Sequence, residues 1–201
     1  MKVALIGATG NIGSKIAAEL LSRGHSVTAI ARNTDKAPAG TQAVSADAAD
    51  PAALAAVLKG HDAVVSSAPF APGLSPAIIE GVKRSGVKRY IMVGGAGSLE
   101  VAPGKMLKDT LTLPDAVRAI LDEAALNLKR LRGETGLDWT FFSPAAEIGP
   151  GERTGKFRLG GDQLVSDAAG KSRISYDDYA IALVDELENP RHIQERFTIG
   201  Y

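Results

Sequence analysis

The stretch Val3-Ala4-Leu5-Ile6-Gly7-Ala8-Thr9-Gly10-Asn11-Ile12-Gly13 constrains the fold more than any other. Its first four residues are apolar in an unbroken run, which reads as a strand buried on both faces. Glycines follow at Gly7, Gly10 and Gly13, and a helix-period stripe begins at once with Ile12, Ile16 and Leu20, flanked by Ala17 and Leu21. Strand, glycine turn and helix in that order is the setting a dinucleotide fingerprint requires. Gly7 can turn the chain out of the strand, Gly10 can let the backbone approach a pyrophosphate, and Gly13 can let helix and strand pack closely. The free N–H groups of the first helical turn then face an anion. The spacing is GxxGxxG rather than GxGxxG. A ligand-free turn could carry the same glycines, but the flanking strand and helix favour the dinucleotide reading.

The same alternation continues down the chain. Gly24 closes the first helix, and Ser26 to Ala31 is a second strand. That strand ends in Arg32-Asn33, where an NAD site would carry an acid for the ribose hydroxyls. Arg32 offers a planar donor fork to a 2′-phosphate, with Lys36 nearby; the alternative is a solvated surface arginine. Gln42 to Ala46 is a third strand. Asp47 follows it, facing an adenine edge or capping the loop. Asp50-Pro51 opens a helix as N-cap and first residue.

Ala63 to Ser67 is the fourth strand, with Ala68-Pro69-Phe70 at its carboxyl end, where open α/β sheets bind ligands. His61 sits at the opposite end of that strand and reads as structural. Ser75-Pro76 is expected to cap a helix with the stripe Ile78, Ile79 and Val82, ended by Gly86. Val87 to Val93 is the fifth strand. Gly94-Gly95-Ala96-Gly97-Ser98 after it leaves room for a flat ring, or is simply a flexible loop.

Residues 99–113 form an irregular stretch long enough to be a lid. Pro114-Asp115 opens the longest helix, whose stripe Val117, Ile120, Leu121, Ala124, Leu128 and Leu131 is expected to be core, with a dimer seam as the lesser reading. Leu137 to Ser143 is the sixth strand, with Pro144-Ala145-Ala146-Glu147 at its end. Residues 149–172 are rich in turn residues, with Leu164-Val165 suggesting a short strand. Ser175 is expected to cap the last helix, and Arg196 to Ile199 to close the sheet. The pattern predicts one α/β domain over residues 1–201, a doubly wound parallel sheet, with residues ~145–201 shaping the substrate cleft.

Composition bounds the function. The 201 residues carry 23 basic and 23 acidic side chains and no cysteine. A nucleic-acid groove is not expected from a chain without a basic excess. Thiol catalysis and cysteine metal sites are excluded, and no metal site is assigned. No apolar run is long enough to cross a bilayer, and the chain enters a strand at once without a signal-peptide pattern, so a cytoplasmic protein is expected, monomer or homodimer, acting on a small molecule.

Together, the glycine stretch, Arg23-Gly24-His25-Ser26-Val27-Thr28-Ala29, Val93-Gly94-Gly95-Ala96-Gly97-Ser98-Leu99, Leu137-Asp138-Trp139-Thr140 and Ile174-Ser175-Tyr176-Asp177-Asp178-Tyr179-Ala180 resemble an atypical short-chain dehydrogenase/reductase, and more narrowly the NADH-flavin-reductase-like proteins. The resemblance runs from one end of the chain to the other. It implies a Rossmann fold with strand order 3-2-1-4-5-6. It also implies that Gly7, Thr9, Gly10, Asn11, Ile12 and Gly13 hold the pyrophosphate, Arg32 and Asn33 the adenosine ribose or its phosphate, and Asp47 and Ala48 the adenine. Ser67, Ala68, Pro69, Gly94, Gly95 and Pro144 would line the second ribose and the nicotinamide, and Phe70, Ala96, Ala146 and Glu147 the substrate cleft.

One departure matters. Typical members carry Tyr-x-x-x-Lys soon after the fifth strand, where the tyrosine protonates the substrate oxygen. Residues 94–113 hold no tyrosine; Tyr90 lies in a strand, and Tyr176 and Tyr179 are far downstream with no lysine at the right spacing. No catalytic residue is therefore assigned. Hydride transfer to a flavin or quinone needs no such dyad, because the cofactor carries the chemistry and water can supply protons. The expected function is an NADPH-dependent reductase of a flat acceptor. A non-catalytic NADP(H) sensor is the alternative, and a sugar-nucleotide epimerase a weaker one.

Overall fold

The computed structural model describes all residues, Met1–Tyr201. The first half alternates as the apolar runs predict: β1 (Lys2–Ile6), α1 (Asn11–Ser22), β2 (Ser26–Ala31), β3 (Gln42–Ser45), α2 (Pro51–Leu58), β4 (Ala63–Ser66), α3 (Leu74–Ser85) and β5 (Arg89–Val93). After β5 come a small hairpin, β6 (Glu100–Ala102) with β7 (Lys105–Met106), and a 3-10 turn at Leu107–Thr110. Then follow α4 (Asp115–Arg132), β8 (Asp138–Ser143), β9 (Glu147–Gly149), β10 (Arg158–Gly160), β11 (Arg173–Ser175), α5 (Tyr176–Glu188) and β12 (Glu195–Gly200).

The main sheet runs β3-β2-β1-β4-β5-β8-β12-β10. The first six strands reproduce the expected 3-2-1-4-5-6 order, β8 being the sixth. All neighbours are parallel except the edge strand β10, which pairs antiparallel to β12. Two apolar layers cover the faces. On one, α1 and α5 pack Ile16, Leu20, Leu183 and Leu187 against Val3, Leu5 and Val65. On the other, α2, α3 and the C-terminal half of α4 bring Leu54, Ile78 and Leu131 against Ala4, Val64 and Trp139. Such alternation from one side of the sheet to the other is why the central strands read as continuous apolar runs.

Helix ends follow their sequence signals in most places. The Asp50 carboxylate accepts from the N–H groups of Ala52 (2.9 Å) and Ala53 (3.1 Å), with Pro51 at the first position. Ser175 caps α5, its hydroxyl accepting from Asp178 N–H at 3.0 Å. His61 is structural: Nδ1–H donates to the Leu58 carbonyl and Nε2 accepts from the Thr28 hydroxyl.

Three expectations need correction. Ser75 does not cap α3. Gly73 does, at φ 80°, because its left-handed turn already aims the chain into the helix and leaves Ser75 buried inside. Leu164-Val165 is not a strand. Val165 lies over Gly160 and Gly200, where its side chain fills space a Cβ would occupy, and the ladder there is formed by β10 instead. The α4 stripe is core only over Ala124, Leu128 and Leu131; Val117 and Ile120 are 40% and 49% exposed. The sheet lies under the second half of the helix, while the first half leaves the sheet behind.

Candidate functional site

The site is built at the carboxyl ends of β1, β2, β4, β5 and β8. Gly7 leaves β1 at φ +80°, and a Cβ on it would overlap the Ser67 carbonyl. A Cβ on Gly13 would overlap the Gly7 carbonyl. These two glycines therefore serve close backbone approach, of the turn to β4 and of α1 to the turn. Gly10 differs: only the Gly7 oxygen, at 3.5 Å, lies near its would-be Cβ, so the space above it is open. Gly10 is also the N-cap of α1. No side chain caps that helix and no acid lies in its first turn, so its free N–H groups and dipole face the opening. An anionic diphosphate fits such a terminus.

From this turn two hollows extend. A groove of about 1060 Å³ runs toward β2 and β3, lined by Arg32, Asn33, Asp47, Ala48 and the 68–74 turn. A cleft of about 690 Å³ runs toward β5 and β8, lined by Gly10, Asn11, Ile12, Ser67, Phe70, Gly94, Gly95, Ala96, Pro144 and Ala146 among others. Gly7, Thr9, Ala68 and Pro69 line both, so groove and cleft are continuous. The structure thus gathers into one trough nearly every residue that the sequence nominates.

Arg32 is exposed and makes no ion pair, which leaves its guanidinium free for a ligand. Lys36 is exposed and lies outside the groove lining. Asp47 does both things the sequence allowed: it lines the groove, and its Oδ1 accepts from Ala49 N–H at 2.9 Å. Asn33 likewise accepts from Asp35 N–H at 2.8 Å, which fixes the turn after β2. Gly13 sits behind the loop rather than in the trough. Glu147 also lies outside it: exposed on β9, it lines a separate depression with Glu152 and Arg173, while the next residue of that strand, Ile148, lines the cleft.

The cleft also contains residues that the sequence did not nominate. Leu107, Leu111 and Leu113 come from the segment after β7, and Val117 and Leu121 from the start of α4. The segment is pinned at its base, Leu107 N–H donating to the Leu99 carbonyl (2.8 Å) and Lys108 N–H to that of Gly97 (2.9 Å). Leu121 packs where a Cβ on Gly97 would stand. Most of the apolar wall thus comes from residues 107–121, with Ala145, Ala146, Ile148 and Tyr176 supplied by the C-terminal part.

Tyrosines sort cleanly. Tyr90 is buried, its hydroxyl paired with that of Ser66 at 2.8 Å, and burial pushes its ionisation above the ordinary range. Tyr179 is buried and stacked on Phe142. Burial raises its ionisation too, and its hydroxyl donates to the Phe142 carbonyl at 2.6 Å. Tyr176, the first residue of α5, lines the cleft, and its hydroxyl makes no hydrogen bond to the protein. Ala180 stands four residues on, where the dyad lysine would be.

Comparison with known proteins agrees with this geometry. The family model described as NAD(P)H-binding matches residues 7–190. The chain belongs to that NAD(P)H-binding family. Its sheet order and glycine turn are those of a Rossmann dinucleotide-binding fold. Three solved structures are similar over the whole of this chain. One, from Burkholderia pseudomallei, is described as a "putative exported protein" (49% identity, TM-score 0.92, all of that chain covered). Another, from Bacteroides thetaiotaomicron, is described as a "putative epimerase" (44%, 0.94, 96% covered). The third, from Streptococcus pneumoniae TIGR4, is described as a "putative NADH-flavin reductase" (37%, 0.86, 99% covered). No helix of the structure is long and apolar enough to cross a membrane.

Proposed function

We propose that this NAD(P)H-binding protein is an NADPH-dependent oxidoreductase that reduces a flat acceptor such as a flavin or quinone. The observation that carries the reading is the continuity of the trough. A groove fitted to an adenosine end, with an unpaired arginine, opens through the glycine turn into a cleft with room for two rings. When bound, a reduced nicotinamide would supply the hydride, and water the one proton that completes the two-electron reduction of the acceptor. The chain's own residues position and shield. Gly94 lets the end of β5 lie close against β8, since a Cβ there would overlap the buried Phe141 ring. Ser143 Oγ donates to the Gly95 carbonyl at 3.0 Å and holds that turn to β8. Phe70 and the 107–121 wall keep water from the ring face.

Two features of the cleft weigh against the epimerase reading. It offers no acid–base pair, Tyr176 being its one titratable side chain, and no charged group to grip a sugar nucleotide. That scarcity of acids favours the sensor alternative, in which NADP(H) is bound without turnover. A supply of reduced dinucleotide supports a cytoplasmic setting, although the Burkholderia relative is described as exported. Steady NADPH oxidation across a panel of flavins, quinones and aldehydes decides between them. Turnover with a flavin or quinone and none with aldehydes is expected. Tight NADPH binding with no turnover on any of them would leave the sensor.

A further inference from the structure

The acceptor end of the cleft carries no formal charge. None of its lining residues is Asp, Glu, Lys, Arg or His. Its wall is aliphatic: Leu107, Leu111, Leu113, Val117 and Leu121. These side chains have little protein to bury against, and Leu111 and Val117 are each 40% exposed. The two cations adjacent in sequence to wall residues are already engaged, and Lys105, two residues before Leu107, is exposed outside the cleft lining. Lys108 is ion-paired with Asp122, and Arg118 donates to the Leu111 carbonyl at 3.3 Å. The only side-chain hydroxyl that the C-terminal part adds to the cleft is the unpartnered phenol of Tyr176.

Resting on the reductase reading, we propose that this wall selects an uncharged, carbonyl-bearing ring of the quinone class, and rejects acceptors with a sulfonate or phosphate on or beside the ring. An anion moved against the wall loses hydration and finds no cation to replace it. A neutral ring covers the exposed leucines and removes them from water. Its carbonyl can accept from the Tyr176 phenol.

Matched acceptor pairs test this: 1,4-naphthoquinone against its 2-sulfonate, and riboflavin against riboflavin 5′-phosphate. With NADPH, the ratio of kcat/KM within each pair is measured for the wild type, for Leu111→Lys and for Leu159→Lys. Leu159 is 49% exposed on the edge strand β10, outside the cleft, and serves as the control. Comparing ratios between variants cancels the intrinsic reactivity of the rings. The wild type should favour the neutral partner by about tenfold or more, as for one lost ionic contact in a desolvated site. Leu111→Lys should shrink that ratio about tenfold, and Leu159→Lys should leave it alone. An unchanged ratio in Leu111→Lys, or a wild type that uses both partners equally, overturns the proposal. The same pairs are titrated onto NADP⁺-saturated protein by calorimetry. Preferential binding of the neutral ring without NADPH oxidation would refute the reductase reading and leave the wall's selectivity standing. Equal binding of both would refute the selectivity whatever the turnover.

Discussion

Gly10 has nothing above its Cα but the Gly7 carbonyl at 3.5 Å. A side chain there is sterically free in the unliganded protein and would occupy the place of a diphosphate. Gly10→Val should therefore fold normally and lose dinucleotide binding, by about 100-fold or more, as expected when a ligand group is displaced from a helix N-terminus. Isothermal titration with NADPH and a thermal melt check the two halves separately. Arg32 carries a second test. Its guanidinium is unpaired in the groove, and charge-assisted bonds to a 2′-phosphate are worth about 1.5–3 kcal/mol each before solvent screening. A preference for NADPH over NADH of about 10- to 100-fold is expected, and Arg32→Ala should bring the two dissociation constants together. Equal affinities in the wild type, or an unchanged ratio in the variant, would remove Arg32 as the selector. Tyr176 is the residue whose place changes most between sequence and structure. One hydrogen bond to an acceptor oxygen contributes about 0.5–1.5 kcal/mol, so Tyr176→Phe should cost no more than about tenfold in kcat/KM. A loss of 10²–10⁴, the range for a true general acid, would mean that the phenol delivers a proton.

At the scale of elements, the sequence spoke clearly where one rule governs one segment. A parallel strand buried on both faces has to be apolar throughout, and a glycine turn has to hold glycine, so β1 and the Gly7–Gly13 turn were legible; the six-strand order followed from the family resemblance, because apolar runs do not say which strands are neighbours. The acceptor wall was not. Leu107, Leu111 and Leu113 follow no period, since a 3-10 turn and an irregular link impose none. Val117 and Leu121 fit the same stripe as the buried Leu128 and Leu131, and only the sheet's extent separates core from cleft. Tyr176 was hidden for another reason: α5 reaches the cleft through β9 and β11 pairing, a contact between segments some 26 residues apart that pattern cannot reveal.

The start of α5 also carries a pH-dependent contact. Asp178 is fully buried. Burial by itself would raise its carboxyl, but bonds from the Thr154 hydroxyl (2.6 Å), Gly155 N–H (2.8 Å) and the Tyr201 hydroxyl (2.7 Å) outweigh this and hold it below the usual carboxylate range. A carboxyl with a depressed folded pKa contributes stability that is present above its unfolded value and lost as pH falls through the folded one. Urea melts of the wild type should therefore weaken steadily below about pH 4, the ordinary aspartate range. Asp178→Asn should be less stable at pH 7 and show a flatter acid limb. Parallel acid limbs for the two proteins would mean that other carboxyls carry the effect.

Across the whole molecule, the end of the sheet opposite the trough is held by a buried ion pair. Arg89, at the amino end of β5, donates to Glu186 Oε1 (3.1 Å) on α5, to Thr140 Oγ1 (2.7 Å) and to the Asp138 carbonyl (2.9 Å) on β8. Glu186, its side chain 3% exposed, also accepts from the N–H groups of Arg191 and His192 and from His192 Nδ1 at 2.8 Å. His192 in turn stacks on Phe197 of β12. Four elements thus meet at two charges. Burial pulls the Arg89 guanidinium below its usual range, and the Glu186 charge opposes that pull. Removing one partner leaves the other charge desolvated and unpaired, so Glu186→Ala should destabilise by about 3–5 kcal/mol. The pair Arg89→Met with Glu186→Leu should recover much of that loss. It removes both charges and fills the space, while Thr140 keeps its own bond to the His192 carbonyl at 2.6 Å. Because Arg89 starts β5 and the trough lies at the strand's other end, NADPH affinity should be unchanged wherever the variants remain folded. Urea unfolding of the two singles and the double, with NADPH titrations at low temperature, forms the test. A cost below about 1 kcal/mol for Glu186→Ala would show water reaching Arg89. A double variant as weak as the sum of the singles would show that the bonds to Asp138, Arg191 and His192, rather than the paired charges, hold this end of the fold.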